Sequence, residues 1–327
     1  PANTAVEVLN EIGEKGAKNV VIISAGFKET GAEGQKLEKQ LEEISKKYEI
    51  NLLGPNCLGF VNNEKLVNAT FGKVSSPDGN ISFISQSGAI ATSIFDWFGS
   101  IGLGFSHFVT LGNKTVIDES DVLEYLFQKN HGEVTSLFDE GPRKVNSIGL
   151  YLESILDGPR FLEISGKITQ YDPVFIIKPG KTPAAATAMQ SHTGAIAGAD
   201  DVLDAAFEEA GIVRCQTLED FFDLSKAFSW GTIPKGPKVA IISNAGGPAV
   251  ISSDSIIENG LEIAEFDDET KKKLVDTLPR SASIMNPIDV LGDALADRFA
   301  SATEIVLQTD ECDALVVLLT PQIMTQI

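Results

Sequence analysis

The chain is poor in basic residues, and this shortage excludes two classes of partner. Lys and Arg together number 26 against 46 Asp and Glu, which gives a formal net charge of −20 at neutral pH. Binding to nucleic acid requires clustered basic side chains that neutralise phosphates, and an anionic membrane surface makes the same demand. The sequence therefore predicts no nucleic acid and no membrane as a partner. A small anion held by backbone N–H groups is still compatible with this charge.

Residues that bind metals or form disulfides are also scarce. The chain has three cysteines and three histidines, which lie far apart in the sequence: Cys57, Cys215, Cys312, His107, His131 and His192. Their number and spacing, with no C-x-x-C pair, exclude a disulfide framework and disfavour a zinc site. We therefore expect a reducing, cytoplasmic location and no resident metal on these residues.

Long apolar runs are absent, since the longest ones, such as residues 314–319, have only the length of a strand. With 43% hydrophobic and 22% charged residues, the 327-residue chain has a globular composition and room for two or three domains. The chain starts at Pro1 within a helical pattern and stops just after an apolar strand. We expect both ends to have been cut from a longer protein.

What is present is a regular alternation of short apolar strands and amphipathic helices, which predicts α/β architecture with parallel sheets covered by helices. Loop-forming residues at 75–79 and 234–237 predict two boundaries and three domains: 1–75, 76–233 and 234–327. Predicted strands are 19–24, 50–53, 81–84, 105–109, 147–152, 174–178, 238–243, 262–266 and one from 314. Predicted helices are 3–15, 31–48, 88–98, 120–128, 161–169, 199–211, 219–228, 248–259 and 268–278.

Two strand-to-helix junctions resemble each other, one at 84–89 and one at 242–248. Free N–H groups and the positive end of the dipole make a helix start an anion site, and Gly88 would let an anion approach the backbone. Ordinary helix capping or a tight turn that contains Pro248 explains each junction without a ligand. Neither junction is a G-x-x-x-x-G-K-[ST] loop or a G-x-G-x-x-G turn. Their repetition favours a shared anion and two domains of one architecture.

His192 stands among small residues, in SHTGA, after an Ala-rich stretch that follows a predicted strand. Small neighbours leave the imidazole open, and its ordinary pKa makes it nucleophilic near neutral pH. Glu153 follows another strand, at the sheet edge where ligands gather, and could accept the Nδ1 proton of His192. A structural histidine and a solvated strand-end acid remain open alternatives from these residues alone.

Eight short motifs occur in an order that extends over nearly the whole chain: SAGFKE at 24–29, GPNCLG at 54–59, SQSG at 85–88, LGNK at 111–114, YLE at 151–153, SHTG at 191–194, NAGG at 244–247 and NPID at 286–289. This ordered set resembles the α subunit of the NDP-forming acyl-CoA synthetases, in particular the ADP-forming acetyl-CoA synthetases, which are relatives of succinyl-CoA synthetase. The resemblance implies a partial Rossmann-like CoA-binding domain followed by two flavodoxin-like, succinyl-CoA synthetase-like domains.

The resemblance also implies site residues. His192 matches the family's phosphohistidine, and Glu153 matches the glutamate that orients it. Matches to the phosphate-binding segments are Ser85, Gln86, Ser87, Gly88, Ala89, Thr193, Gly194, Asn244, Ala245, Gly246 and Gly247. Matches to the CoA and acyl pocket are Ser24, Ala25, Gly26, Asn56, Cys57, Gly112 and Asn113.

The reaction implied by the resemblance interconverts acyl-CoA, ADP and phosphate with the acid, CoA and ATP. CoA is then one cofactor, and ADP or ATP with Mg²⁺ is expected on an ATP-grasp β subunit or fused domain, because the sequence shows no ATP-grasp region. A small carboxylic acid and phosphate complete the substrates, and we expect an oligomer. By this resemblance, the first strands of the CoA-binding domain are missing here. Residues 129–144 replace a connection that is usually short in the family, and no motif explains this stretch.

Three alternatives remain open. A succinyl-CoA synthetase α-type subunit is disfavoured by the further domain after Pro237, and a non-catalytic CoA-sensing or scaffold module is disfavoured by the presence of both His192 and Glu153. An NAD-dependent dehydrogenase fits the α/β pattern but lacks its glycine-rich turn. The preferred acyl group, the choice between ADP and GDP, and the direction of the reaction are not encoded in any of these motifs.

Overall fold

A computed structural model describes residues 1–72, 77–131, 146–182, 184–185, 187, 200–230 and 234–322. The chain divides into two compact units, residues 1–232 and 233–327. The α/β class predicted from the sequence is confirmed, with sheets that are mainly parallel. The finer boundary at 75/76 stays a prediction.

The first unit begins with two helices, α1 (Ala2–Glu14) and α2 (Ala32–Tyr48), and a two-stranded parallel sheet of β1 (Asn19–Val21) and β2 (Asn51–Leu53). Leu9, Phe27, Leu41 and Leu52 are fully buried between these elements. Apolar residues recur on one face of each helix, which is the amphipathic pattern that buries a helix against a sheet.

A seven-stranded sheet forms the rest of the first unit, in the order β4-β3-β6-β5-β7-β8-β9. Its strands are β3 (Gly59–Asn62), β4 (Val67–Thr70), β5 (Asp78–Ser85), β6 (Phe105–Thr110), β7 (Ser147–Tyr151), β8 (Val174–Ile177) and β9 (Val213–Arg214). Strands β5 to β9 pair in parallel, whereas β3 pairs antiparallel with both β4 and β6. The β3–β4 hairpin, which the sequence did not predict, therefore extends a sheet formed by later residues.

Two buried clusters cover the faces of this sheet. One is rich in phenylalanine, including Phe83, Phe98 and Phe105, and the other contains Leu150, Ile176 and further aliphatic side chains. The helices of this part are α3 (Gly88–Ser100), α4 (Glu119–His131), α5 (Gly158–Ile168), α6 (Asp200–Glu209) and α7 (Leu218–Trp230). In β7 and β8, Leu150 and Ile176 reach one cluster while Tyr151 and Phe175 reach the other, as expected of a sheet covered on both faces.

The second unit is a smaller parallel sheet in which β10 (Lys238–Ser243) pairs with β11 (Glu262–Ile263), β12 (Ile288–Asp289) and β13 (Ala314–Leu318). Its helices are α8 (Gly246–Glu258), α9 (Asp268–Thr277) and α10 (Ala296–Leu307). The side-chain amide of Asn286 donates to the carbonyl oxygens of Val239 and Ala264 and accepts from the N–H of Ile241, which joins the short strands to β10.

Candidate active site

A cavity of about 890 Å³ lies in the first unit, beside the carboxyl ends of β5 and β7. Ten of its lining residues belong to the three groups of site residues predicted from the sequence: Ala25, Asn56, Cys57, Gln86, Ser87, Gly88, Ala89, Gly112, Asn113 and Glu153. These residues come from five separate segments of the chain. The structure thus brings the predicted CoA and acyl residues, the first helix start and Glu153 to one cavity.

Other predicted residues lie elsewhere. Ser24, Gly26 and Ser85 do not line the cavity, although each is adjacent in sequence to a residue that does. Asn244, Ala245, Gly246 and Gly247 belong to the second unit. His192, Thr193 and Gly194 lie outside the described residues, as does most of the unexplained stretch 129–144.

The start of α3 forms one wall of the cavity. Ser87 is the N-cap, and its hydroxyl accepts a hydrogen bond of 3.4 Å from the N–H of Ile90. Gly88 and Ala89 form the first helical positions, and among the described residues no protein group accepts from their N–H groups. A Cβ at Gly88 would meet no atom within 4 Å. The positive helix end is therefore open to an anion on the cavity side.

Ser85 shapes this helix start from beneath. Its side chain is fully buried at the end of β5, where its hydroxyl donates to the carbonyl oxygen of Ser87 at 2.7 Å. The same hydroxyl accepts from the N–H of Ser87 at 3.2 Å. This two-way contact turns the chain sharply from strand to helix, so that the first helical N–H groups face the cavity.

Glu153 lies two residues beyond β7 and is only 8% exposed. Burial and, to a smaller extent, the charge of Glu153 together raise the pKa of its neighbour Tyr151 to about 12. Burial also lowers the pKa of Lys178, which follows β8, while the charges of Asp200 and Glu153 act in the opposite direction. Glu153 therefore brings a negative charge close to the strand ends. Its predicted hydrogen bond to His192 stays a prediction.

Glu29 also lines the cavity and belongs to the SAGFKE motif, although no role was predicted for it. One carboxylate oxygen accepts from the N–H groups of Gly26 and Phe27 at 2.6 and 3.1 Å, and the other accepts from the amide of Asn113 at 2.7 Å. Burial raises the pKa of Glu29, but the hydrogen bonds from Asn113 and the two N–H groups outweigh burial and lower it below its ordinary value. Glu29 is thus a fixed negative charge in the cavity wall.

Behind Glu29 lies a buried acid that sequence analysis missed entirely. Glu38 of α2 accepts from the amide of Asn113 at 2.8 Å and from the hydroxyl of Thr115 at 2.7 Å, and it pairs with the ammonium of Lys28 at 3.1 Å. These contacts tie the Gly112–Asn113 loop to the first helices of the chain. A polar residue within a polar helix gives no sign of such burial, because its partners are remote in sequence.

Cys57 and Gly112 form another part of the wall. The Cys57 thiol is buried, contacts the carbonyl oxygen of Ile22 at 3.5 Å, and has its pKa raised to about 11 by burial. It is therefore a protonated, apolar wall residue at neutral pH and no nucleophile. At Gly112 (φ +59°) a Cβ would lie 2.2 Å from the carbonyl oxygen of Pro55, so only glycine permits these two loops to meet.

The junction in the second unit has a similar construction. The hydroxyl of Ser243 donates to the carbonyl oxygen of Ala245 at 2.8 Å and accepts from its N–H at 3.1 Å. α8 then begins at Gly246, with Pro248 in its first turn as predicted. Its predicted sharing of an anion with the first junction stays a prediction.

Two further properties bear on the class of protein. In the part of the chain that the structure describes, no group of three or more His, Cys, Asp and Glu residues is arranged to hold a metal ion. Among the helices of that same part, none has the length and apolar character that crossing a bilayer requires.

Comparison with known proteins gives a consistent result. Residues 78–228 match the family model described as succinyl-CoA ligase like flavodoxin domain. The chain is 38% identical over 321 residues to ADP-forming acetate–CoA ligase I of Archaeoglobus fulgidus. The aligned region covers 98% of this chain and 45% of that relative. It is also 38% identical over 316 residues to the α subunit of ADP-forming acetate–CoA ligase II of Pyrococcus furiosus, and this alignment covers 97% of this chain and 66% of that subunit.

A solved structure agrees with these relatives. Acetyl-coenzyme A synthetase 1 of Candidatus Korarchaeum cryptofilum, in complex with phosphate and ADP, superposes with a TM-score of 0.89 at 33% identity. The match covers 99% of this chain and 67% of that one. The chain spans about half to two thirds of the length of the curated relatives above. The chain therefore belongs to the family of ADP-forming acetate–CoA ligases.

Proposed function

We propose that this chain is the CoA- and phosphoryl-handling part of an NDP-forming acyl-CoA synthetase. The observation that carries the proposal is the single cavity of about 890 Å³ on which the predicted acyl residues, the open start of α3 and Glu153 meet. The named relatives supply the reaction class. Acyl-CoA, ADP and phosphate are converted reversibly to the acid, CoA and ATP, and acetate is the first acid to test.

In the first step, a phosphate oxygen attacks the thioester carbonyl carbon, the C–S bond breaks, and CoA leaves as its thiolate. The N–H groups of Gly88 and Ala89 hold the phosphate, because a helix N-terminus stabilises anionic oxygens without a basic side chain. This use of backbone charge suits a chain with a net charge of −20. The product is an acyl phosphate.

In the second step, an imidazole nitrogen of His192 attacks the phosphorus, and the carboxylate of the acid leaves. Glu153 accepts a hydrogen bond from the N–H of the other ring nitrogen and so holds the ring in the reactive tautomer. The phosphohistidine then donates its phosphoryl group to ADP, which forms ATP and regenerates the ring.

In this proposal the nucleotide and Mg²⁺ bind an ATP-grasp β subunit or fused domain, the complete enzyme is an oligomer, and it acts in the cytoplasm.

The test uses the complete enzyme together with its ATP-grasp part. Incubation with Mg²⁺ and ATP labelled on its γ-phosphate is expected to give an acid-labile, base-stable phosphoryl label on His192, and acetyl-CoA with labelled phosphate should give the same species. His192→Asn should abolish both labels. A label that persists in this variant would contradict the proposal, and absence of any label in the wild type would favour a non-catalytic CoA-binding module.

The acyl group is tested separately. Rates with acetate and succinate, at equal CoA and ATP, distinguish an acetate-type from a succinyl-type enzyme. We expect acetate to react faster, because the charged side chains that line the cavity among the described residues are two carboxylates, Glu29 and Glu153, and Lys28, which is already paired with Glu38. A second carboxylate on the substrate would meet repulsion there. Faster reaction of succinate would overturn this assignment and leave phosphohistidine formation unaffected.

A further inference from the structure

The side chain of Gln86 contacts the loop that carries Glu153. Its carbonyl oxygen Oε1 accepts hydrogen bonds from the N–H groups of Glu153 and Ser154, both at 2.9 Å. Its Nε2 donates to the hydroxyl of Ser154 at 3.2 Å, and its own backbone N–H donates to the carbonyl oxygen of Tyr151 at 2.8 Å. One residue thus fixes three positions of a four-residue segment.

A buried ion pair holds the same loop from another direction. The ammonium of Lys114 donates to the carbonyl oxygen of Ser154 at 2.8 Å and pairs with Glu119 at 2.9 Å, and the two side chains are 1% and 0% exposed. Glu119 also accepts from the N–H of Leu156 at 2.9 Å. The N–H groups of Glu153, Ser154 and Leu156 and the carbonyl oxygen of Ser154 are therefore all bound by side chains.

These contacts determine where the Glu153 carboxylate can lie. Two consecutive N–H groups that share one acceptor fix the orientation of the peptide between Glu153 and Ser154, and hence the direction of the Glu153 side chain. We infer that Gln86 is a positioning residue for Glu153 in the phosphoryl-transfer step. The inference rests on the proposed function and extends it, since the family resemblance implies a direct phosphate-binding role for Gln86.

The second unit contains the same amide contact without an acid. Asn244 follows Ser243 as Gln86 follows Ser85, and its side chain accepts from the N–H of Thr320 and donates to its carbonyl oxygen, both at 2.8 Å. The strand registers Ser85↔Tyr151 and Ser243↔Leu318 make Thr320 the counterpart of Glu153. The amide contact is thus a feature of the fold, and the acid is particular to the first unit.

Gln86 is a better probe than the ion pair, because removing one member of a buried pair leaves an uncompensated buried charge and endangers folding. In the complete enzyme, Gln86→Ala is expected to slow phosphorylation of His192 by roughly 10- to 100-fold, as for other residues that orient a functional side chain. The KM for CoA should not change. The slowing should persist at saturating ATP, because a positioning residue affects the rate of phosphoryl transfer and not the binding of the phosphoryl donor.

Two controls separate positioning from general stability. Asn286→Ala removes an amide with three backbone partners in the second unit, and it should lower the melting temperature without slowing phosphorylation. In a Glu153→Gln background, Gln86→Ala should cause no further loss, because a residue that acts through Glu153 has no effect once that acid is gone. Hydrogen exchange at the Glu153 and Ser154 amides should accelerate in Gln86→Ala.

The possible results are distinct. A wild-type enzyme that forms no phosphohistidine overturns the proposed function. If the wild type and Gln86→Ala form phosphohistidine at the same rate, the positioning role alone is overturned. The same conclusion follows if Gln86→Ala slows phosphorylation as much in the Glu153→Gln background as it does in the wild type. Slow phosphorylation that saturating ATP does not restore, with no further loss in the Glu153→Gln background, establishes it.

Discussion

The two strand-to-helix junctions of this chain have the same construction but differ in what they hold. Ser85 and Ser243 both end a central strand, both are fully buried, and both exchange two hydrogen bonds with the residue two positions later. In each case an amide side chain follows the serine and a helix starts three positions after it. The backbone device is therefore the same in both units.

The differences lie in single side chains. The first junction has a serine cap at Ser87, whereas Ala245 offers no side-chain acceptor. The amide of the first junction holds the loop of Glu153, whereas that of the second holds Thr320. The repeated fold therefore supplies a helix start at the same place in both units, while one residue beyond the neighbouring strand decides which unit carries the acid.

The largest expected effect distinguishes Glu153 from Thr320. Glu153→Gln should slow phosphorylation of His192 by roughly 10- to 100-fold, because the neutral amide no longer stabilises the correct tautomer. Thr320→Val should leave the rate unchanged, since Asn244 contacts only the backbone of Thr320 in the described structure. The measurement is single-turnover labelling of the complete enzyme with Mg²⁺ and ATP. Equal losses in both variants would break the comparison.

An effect of intermediate size tests whether the serine device, which is the buried serine with its two hydrogen bonds to the residue two positions later, contributes equally to stability in both units. Ser85→Ala and Ser243→Ala each remove a buried hydroxyl and leave an N–H and a carbonyl oxygen without their partner, which should cost about 1–3 kcal/mol of unfolding free energy. Urea unfolding, followed by tryptophan fluorescence near Trp97 and by hydrogen exchange in the second unit, measures each loss. The shared-device interpretation fails if one substitution costs several kcal/mol and the other nothing.

The smallest effect concerns the helix caps. Ser87→Ala should cost about 0.5–1 kcal/mol, at the low end for an N-cap because its bond to Ile90 is long at 3.4 Å. Ala245→Ser should stabilise the second unit by a similar or smaller amount, because a hydroxyl can then cap α8. Thermal unfolding of the two single variants measures this. A loss of stability in Ala245→Ser would show that the two helix starts are less alike than the extended backbone at both N-cap residues, Ser87 and Ala245, indicates.

Much of the fold could be predicted because strand and helix patterns are local. The segments around β5, β7 and β10, with the helices that follow the two junctions, were predicted to within a few residues. The β3–β4 hairpin was missed because its short strands carry polar residues, such as Asn62 and Asn68, and obtain their place by pairing with β6. α10 was missed as well.

The site was predicted in part. The ten lining residues that sequence analysis named came from ordered motifs, and Glu29 and Lys114 lay within those motifs without a role. Glu38 and Glu119 gave no indication at all, since a charged residue in a helix is normally solvated, and their burial depends on contacts that only the folded chain makes, such as those with Asn113 and Leu156.

By itself the sequence determined the order of strands and helices, the two similar junctions and the family motifs, because each depends on residues that are neighbours along the chain. Only the tertiary structure decided that five remote segments line one cavity, and that the amide of Gln86 faces the loop of Glu153. Hydrogen bonds between residues 67 and 68 positions apart depend on the register of β5 against β7, which no local pattern specifies.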